Sequence, residues 1–321
     1  MDRRAFVGAV AGSLVVRYSS VEAQPAAKVY RIGILTYATA EQYAPLLREL
    51  IEGLRELGYV DGRNVVIEPH YGDGTLKSLS NLAADVVRSR ADVIIAGSNP
   101  ITAAAKSATA TIPIVMVATF DPVGAGLVAS LARPGGNITG LTVDASPEMI
   151  AKNLGVLTEI IPGLSRVGIL RQVDYGKGLE RAAKQLNVSL HFIDIGTLDE
   201  LENAFAALSA KRVGAVMVIG PMFYIRRKEV AALAIKYRLP AMHALREYAQ
   251  AGLFVTYGAN LADLYRRAAG YVDRILKGAK PGNLPVEQPT KFDLVINLNT
   301  AKLLGVAIPQ SVLLRADELI R

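Results

Sequence analysis

The 321-residue chain contains no cysteine, which excludes disulfides and every thiolate metal centre. Its only histidines, His70, His191 and His243, lie far apart in sequence, so a histidine-rich metal site is not expected. Catalytic signatures are missing as well. There is no GxSxG elbow, HExxH helix or Walker loop, and Gly124-Ala125-Gly126 is an isolated GxG behind an Asp-Pro pair. An α/β enzyme would therefore have no visible catalytic constellation, and neither catalysis nor a cofactor is expected. The formal net charge of +7 is scattered along the chain without the basic stripe of a nucleic-acid binder. It reads as a solvated surface with a mild attraction for anionic ligands.

What is present points to a large folded protein. Hydrophobic residues make up 51% and charged residues 20%, and the length suffices for two domains of ordinary size. The N-terminus has the three-part layout of an export signal: Arg3-Arg4-Ala5-Phe6, an apolar run from Val7 to Val16, and a small-residue cleavage site at Val21-Glu22-Ala23. The arginine pair suggests the twin-arginine route, with the general secretory route as the alternative. The run is short for a permanent membrane span, and no cysteine follows it to carry a lipid. Residues 1–23 are read as a signal peptide and the mature protein as periplasmic.

Strand-like and helix-like segments alternate after the signal. Strands are expected at Val29–Leu35, Val65–Glu68, Ala91–Ala96 and Ile112–Thr119, with helices at Ala44–Leu57, Leu79–Arg88 and Ile101–Ala108 between them. This βαβ order implies a parallel sheet covered on both faces. The pattern then restarts beyond Val143–Pro147, with helices at Pro147–Ile160, Gly178–Leu186, Leu198–Ser209 and Arg226–Tyr237 and strands at Arg166–Leu170, Leu190–Ile195, Ala215–Ile219 and Ala241–His243. A strand at Leu253–Tyr257, an amphipathic helix at Leu261–Leu276, a proline-rich crossing at Lys280–Pro289 and a strand at Phe292–Asn297 follow, with a short helix at Thr300–Leu304. Two α/β lobes with a returning chain suggest a hinged protein.

Open α/β sheets bind ligands beyond the carboxyl ends of their strands, so the residues at those ends are the candidates. After the first strand, Thr36, Tyr37 and Thr39 could hydrogen-bond a ligand, and the helix start behind them could hold a carboxylate; plain capping is the alternative. Gly97-Ser98-Asn99-Pro100 repeats the arrangement, with Ser98 and Asn99 as polar contacts. After Ile112–Thr119 come Thr119, Phe120 and Asp121, where Asp121 either meets a ligand ammonium or caps a helix beginning near Val123. The second lobe should supply Gly220, Pro221, Met222 and Phe223. Arg246 suits a carboxylate and Glu247 an ammonium, unless they form an inter-lobe ion pair, and Tyr257 lies in a crossing segment. An amino acid or related carboxylate is the ligand these residues fit.

Several segments resemble the tryptophan/tyrosine-type solute-binding proteins of ABC transporters. They are RIGIL (31–35), ELGYVDGRNVVIE (56–68), ATATIPIVMV (108–117), FDPVGAGLVASLARPGGNITGL (120–141) and the long block from 266 to 320. The resemblance implies a type I periplasmic binding protein fold: two Rossmann-like lobes with parallel sheets, joined by a three-segment hinge. It implies a permease and its ATPase as partners, and no membrane-embedded or nucleic-acid-binding role. Lobe one would comprise residues 28–145 plus about 255–285, and lobe two 146–252 plus about 290–321. Family members commonly carry an acid or amide where this chain has Gly220, which would leave lobe two short of a polar partner. A periplasmic sensor that signals to a membrane receptor is the alternative to an importer subunit.

Overall fold

A computed structural model describes residues 28–73, 78–143, 147–172 and 178–321. The expected signal peptide and part of the first inter-lobe joint lie outside the described residues. In chain order the elements of the first half are β1 (Tyr30–Leu35), α1 (Ala40–Glu56), β2 (Val65–His70), α2 (Leu79–Arg88), β3 (Val93–Gly97), α3 (Asn99–Ala108), β4 (Ile114–Thr119) and β5 (Ile138–Thr142). They are followed by α4 (Pro147–Ile160), β6 (Arg166–Arg171), α5 (Gly178–Gln185), β7 (Ser189–Asp194), α6 (Leu201–Ala210), β8 (Ala215–Ile219), α7 (Arg227–Lys236), β9 (Ala241–His243) and α8 (Arg246–Gln250). The chain ends with β10 (Val255–Ala259), α9 (Leu261–Leu276), β11 (Phe292–Asn297), α10 (Leu298–Leu304), α11 (Gln310–Arg315) and β12 (Glu318–Ile320).

Two sheets result. The first is all parallel, in the order β2-β1-β3-β4-β5. The second runs β12-β11-β10-β9-β8-β6-β7 and is parallel except where β10 meets β11. Central strands such as Val93–Gly97 are buried along their whole length, because helices cover both faces and no polar face is needed. The cover is amphipathic. Helix α1 opens on a capping box between Thr39 and Gln42 and buries Tyr43, Leu46, Leu50 and Leu54 on one stripe. Helix α9 opens on Asn260, whose side chain accepts from the Asp263 N–H at 3.2 Å, and buries Leu264, Tyr265, Ala268 and Val272. These two helices lie side by side on the first sheet, and Gly53 allows the approach: a side chain there would overlap the Arg266 carbonyl and stand 3.0 Å from the Ala269 methyl.

The chain crosses between the sheets three times: after β5, between β10 and α9, and between Glu287 and β11. One segment departs from expectation. Val255–Ala259, expected with the first lobe, pairs with β9 and β11 in the second sheet, so the crossing falls after Ala259, and α9 with the segment that follows it to Glu287 returns to the first lobe. The backbone groups of β10 have ladder partners on both sides in the second sheet. Strand β5 and the C-terminal α11 and β12 are elements that the hydrophobic pattern did not reveal. The third crossing leaves from the edge of the first sheet, where Glu287 N–H donates to the Gly140 carbonyl and its carbonyl accepts from Thr142 N–H, both at 2.9 Å.

The α1–α9 contact yields a paired test. Gly53→Ala should lower stability to urea by about 1–3 kcal/mol, because overpacking outweighs the gain in helix propensity. Gly155→Ala in α4, where an added methyl meets nothing within 4 Å, should raise it by up to about 1 kcal/mol. Equal effects at the two positions would contradict the packing described.

Candidate functional site

The carboxyl ends of both sheets face one cavity of about 650 Å³, its opening to solvent included. From the first sheet, the ends of β1, β3, β4 and β5 bring Thr36–Ala38, Gly97–Ser98, Ala118, Phe120 and Val143. From the second, the ends of β8 and β9 bring Gly220, Tyr224, His243, Leu245 and Tyr248. Tyr43 and Tyr265 enter from the first turns of α1 and α9. The lobes are closed on one another: Tyr224 and Leu245 pack against the core of the first lobe as well as that of the second.

Five tyrosines therefore surround the cavity. Tyr43 meets Tyr265 edge-on at 5.7 Å between ring centroids, Tyr224 meets Tyr248 at 6.3 Å, and His243 stacks on Tyr248 at 3.7 Å. Burial pushes the hydroxyls of Tyr37, Tyr43, Tyr224 and Tyr248 above the ordinary phenol range, and that of Tyr265 to about 12. All remain neutral donors at physiological pH. Burial likewise lowers His243 to about 3, with the Gly220 backbone acting weakly in the other direction. Its Nδ1 accepts from the Leu245 N–H at 2.9 Å, so the imidazole is neutral with its proton on Nε2. Among the described residues no aspartate, glutamate, lysine or arginine lines the cavity.

Three side-chain oxygens of this wall, those of Tyr43, Ser98 and Tyr248, have no hydrogen-bond partner, and the last two are the ones that bear on a ligand. The Ser98 Oγ and the Tyr248 hydroxyl are buried without a hydrogen bond, a condition that costs about 1–3 kcal/mol per group until something fills it. Ser98 precedes α3 but makes no capping bond. Its φ of +66° and ψ of 162° belong to a region that L-residues avoid, and Ala118, beside it at the end of the adjacent strand, has φ +57°. Backbone strain is concentrated at the strand ends that face the cavity.

Of the sequence candidates, Thr36, Tyr37, Gly97, Ser98, Phe120 and Gly220 line this cavity, whereas Thr39, Asn99, Thr119, Asp121, Phe223, Arg246, Glu247 and Tyr257 do not. Asn99 is engaged with the backbone of Phe120, donating to its carbonyl and accepting from its N–H, both at 2.7 Å. Thr119 is buried and donates to the Met116 sulfur. Asp121 is exposed and accepts from the Gly124 N–H at 2.9 Å, capping a turn rather than a helix. Phe223 fills the core of the second lobe. Tyr257 packs in the other core of that lobe, under Lys152. Arg246 is tied to Glu318 and, at 3.5 Å, to Asp293, both in its own lobe.

Arg246 and Glu247 instead border a neighbouring open basin of about 1170 Å³, together with Arg48, Glu49, Arg227 and Lys228. Glu247 Oε2 is buried there without a partner, and burial raises its pKa. Tyr224 and Leu46 form the partition between basin and cavity. Tyr43, Tyr224, Tyr248, Tyr265 and His243 were not legible as site residues. A usable signal exists: Tyr43, Tyr248 and Tyr265 each sit in the opening turns of a helix, and the opening turns of helices that follow parallel strands lie at the ligand edge of the sheet.

The model of the ABC transporter substrate binding protein family matches residues 32–320. The chain belongs to that family. It is 30% identical over 266 residues to a tyrosine-binding protein of Clostridioides difficile, covering 80% of this chain and 75% of that one. A solved conserved domain protein of Vibrio cholerae superposes with a TM-score of 0.83 at 27% identity, over 91% of this chain and all of that one. An ABC domain from Streptococcus pneumonia in complex with L-Trp superposes with a TM-score of 0.82 at 23% identity, again over 91% and 100% of the two chains. The fold is the two-lobe type I architecture of these binding proteins.

His243 makes the cavity wall acid-sensitive. Its folded pKa is depressed, so its contribution is intact above about 6.5 and is lost as pH falls toward about 3. Between pH 7 and pH 5 this group alone should remove about 2 kcal/mol of stability. His243→Asn, which keeps an acceptor for the Leu245 N–H, should lose that much less over the same interval in urea titrations. Identical losses in the two proteins would show that His243 titrates in the folded state.

Proposed function

We propose that this protein is the solute receptor of an ABC importer and captures a small aromatic carboxylate, aromatic amino acids included, between its lobes. The observation that carries the reading is the closed, tyrosine-walled cavity with unsatisfied hydroxyls at Ser98 and Tyr248. Phenol rings offer edges and faces to an aromatic ligand at little entropic cost. The carboxylate fits the start of α3, where the first-turn N–H groups are uncapped by Ser98 and the Tyr265 hydroxyl lies against the bare backbone of Gly97. The names of a tyrosine-binding relative and of a tryptophan-bound structural neighbour support the same class.

Two lobes moving about the three crossings open and close the cavity, and a ligand that touches both favours the closed state. A permease that recognises the closed state then receives the solute, and its ATPase drives transport. The role requires no bond to be made or broken. Among the described residues no helix is long and apolar enough to cross a membrane, which fits a receptor working outside the cytoplasmic membrane after export.

Isothermal titration with L-tyrosine, L-tryptophan and 3-(4-hydroxyphenyl)propanoate tests the reading. At least one should bind at a single site, Ser98→Ala should weaken it by about tenfold, and Asp121→Ala should leave it unchanged. Binding of sugars or nucleosides with no aromatic carboxylate among the ligands would overturn the proposal.

A further inference from the structure

The cleft does not end at the tyrosines. A second chamber of about 450 Å³, its opening to solvent included, shares Phe120, Gly220 and His243 with the first and runs into the second lobe, which supplies all of its lining but Phe120. Its wall is of a different kind, built from Met149, Met217 and Met242 together with Ile150, Val218 and Ile219, and carries one amide, Asn153. Asn153 is 6% exposed, and its Oδ1 is buried without a hydrogen-bond partner. Buried amide oxygens in a native fold are nearly always paired, so this one marks a place for a donor that the protein does not itself supply.

Gly220 stands at the junction of the two chambers. Its φ of +146° is open to glycine only, and a Cβ would come within 2.7 Å of Gln172 Oε1 and 3.2 Å of the Phe223 ring. The backbone is held bare where the two chambers meet. Methionine walls suit an arm of adjustable shape, since the side chain is unbranched, polarizable and easily repacked.

We infer that the methionine chamber is a second subsite, which takes an apolar arm of the ligand ending in a hydroxyl or amide N–H that donates to Asn153 Oδ1. This inference rests on the reading of the tyrosine cavity as the ligand site. It narrows the ligand from a compact aromatic carboxylate to one whose ring carries an extended, donor-tipped substituent passing Gly220.

Three probes test it by isothermal titration on the full chain: 4-methylphenylacetate, 4-(3-hydroxypropyl)phenylacetate and the methyl ether of the latter. The alcohol should bind at least about tenfold more tightly than the methyl compound, since each buried methylene is worth about fourfold. The ether, which cannot donate, should lose several-fold against the alcohol. Asn153→Leu should abolish the alcohol-over-ether preference. Met217→Trp, or the milder Met149→Phe, should remove the advantage of both long probes and leave 4-methylphenylacetate within about twofold of wild type. Equal affinities for the three probes in the wild-type protein, or a long-arm advantage that survives filling the chamber, would overturn the second subsite alone. Failure of all three probes, 4-methylphenylacetate included, would remove the tyrosine cavity as an aromatic carboxylate site and the subsite with it.

Discussion

The structure depends on one constraint: the carboxyl ends of two parallel sheets face each other, and what lies between them must be buried without charge. Strand ends bring backbone carbonyls and helix-opening amides to this surface, and burying such groups unpaired is costly. Phenols meet the constraint from both sides, because a tyrosine ring supplies apolar area while its hydroxyl can satisfy or receive a polar group. Tyr224 and Leu245 pack on both lobes at once, so the interior of the cleft is continuous with the two cores. On the proposed reading, a ligand entering this space replaces missing partners instead of competing with existing ones, which would link binding to closure.

The hinge beside it is built from polar interactions of a different type. Asp293, at the start of β11 and 7% exposed, accepts from Asn260 Nδ2 at 2.9 Å and lies 3.5 Å from Arg246. Asn260 also caps α9, so the second crossing, the third crossing and α8 meet at one carboxylate. An ion pair this well buried contributes chiefly to geometry, since desolvation offsets much of its attraction. Arg246 thus ties α8 to β11 and β12 beside the crossings, and the open basin next to it is lined by charge.

The fold was legible because its signals are strong and local. Apolar runs such as Val93–Gly97 and Ile114–Thr119 are short, rich in β-branched residues and bounded by turn residues, which marks strands buried on both faces, and the stripe of α1 has helical spacing. Val255–Ala259 reads correctly as a strand, but nothing local says which sheet it joins. Its lobe is decided by pairing with β9 and β11. The site was legible in part for the same reason. Thr36, Tyr37 and Ser98 follow strands directly, so chain order places them. Asp121 follows a strand too, yet a φ of +31° turns it outward to cap Gly124. Tyr43, Tyr248 and Tyr265 come from helices and resemble core residues until the helix ends are located. Family membership is visible in the motifs that carry the turns and the crossings, while the five tyrosines of the cavity wall lie outside those motifs, which share only Phe120 with its lining.

The central claim is that both lobes close on an aromatic ligand held by the tyrosines. The chain has no cysteine, so a pair of spin labels can be introduced at Ala44→Cys on α1 and Lys228→Cys on α7, both exposed and on opposite lobes. Electron–electron distance measurement on this pair, with and without the tightest aromatic carboxylate, tests the claim most directly. A broad or longer distribution that collapses to one short distance on saturation is the predicted result. A distribution unchanged by a ligand shown to bind would contradict closure, and with it the account of how this protein presents its solute.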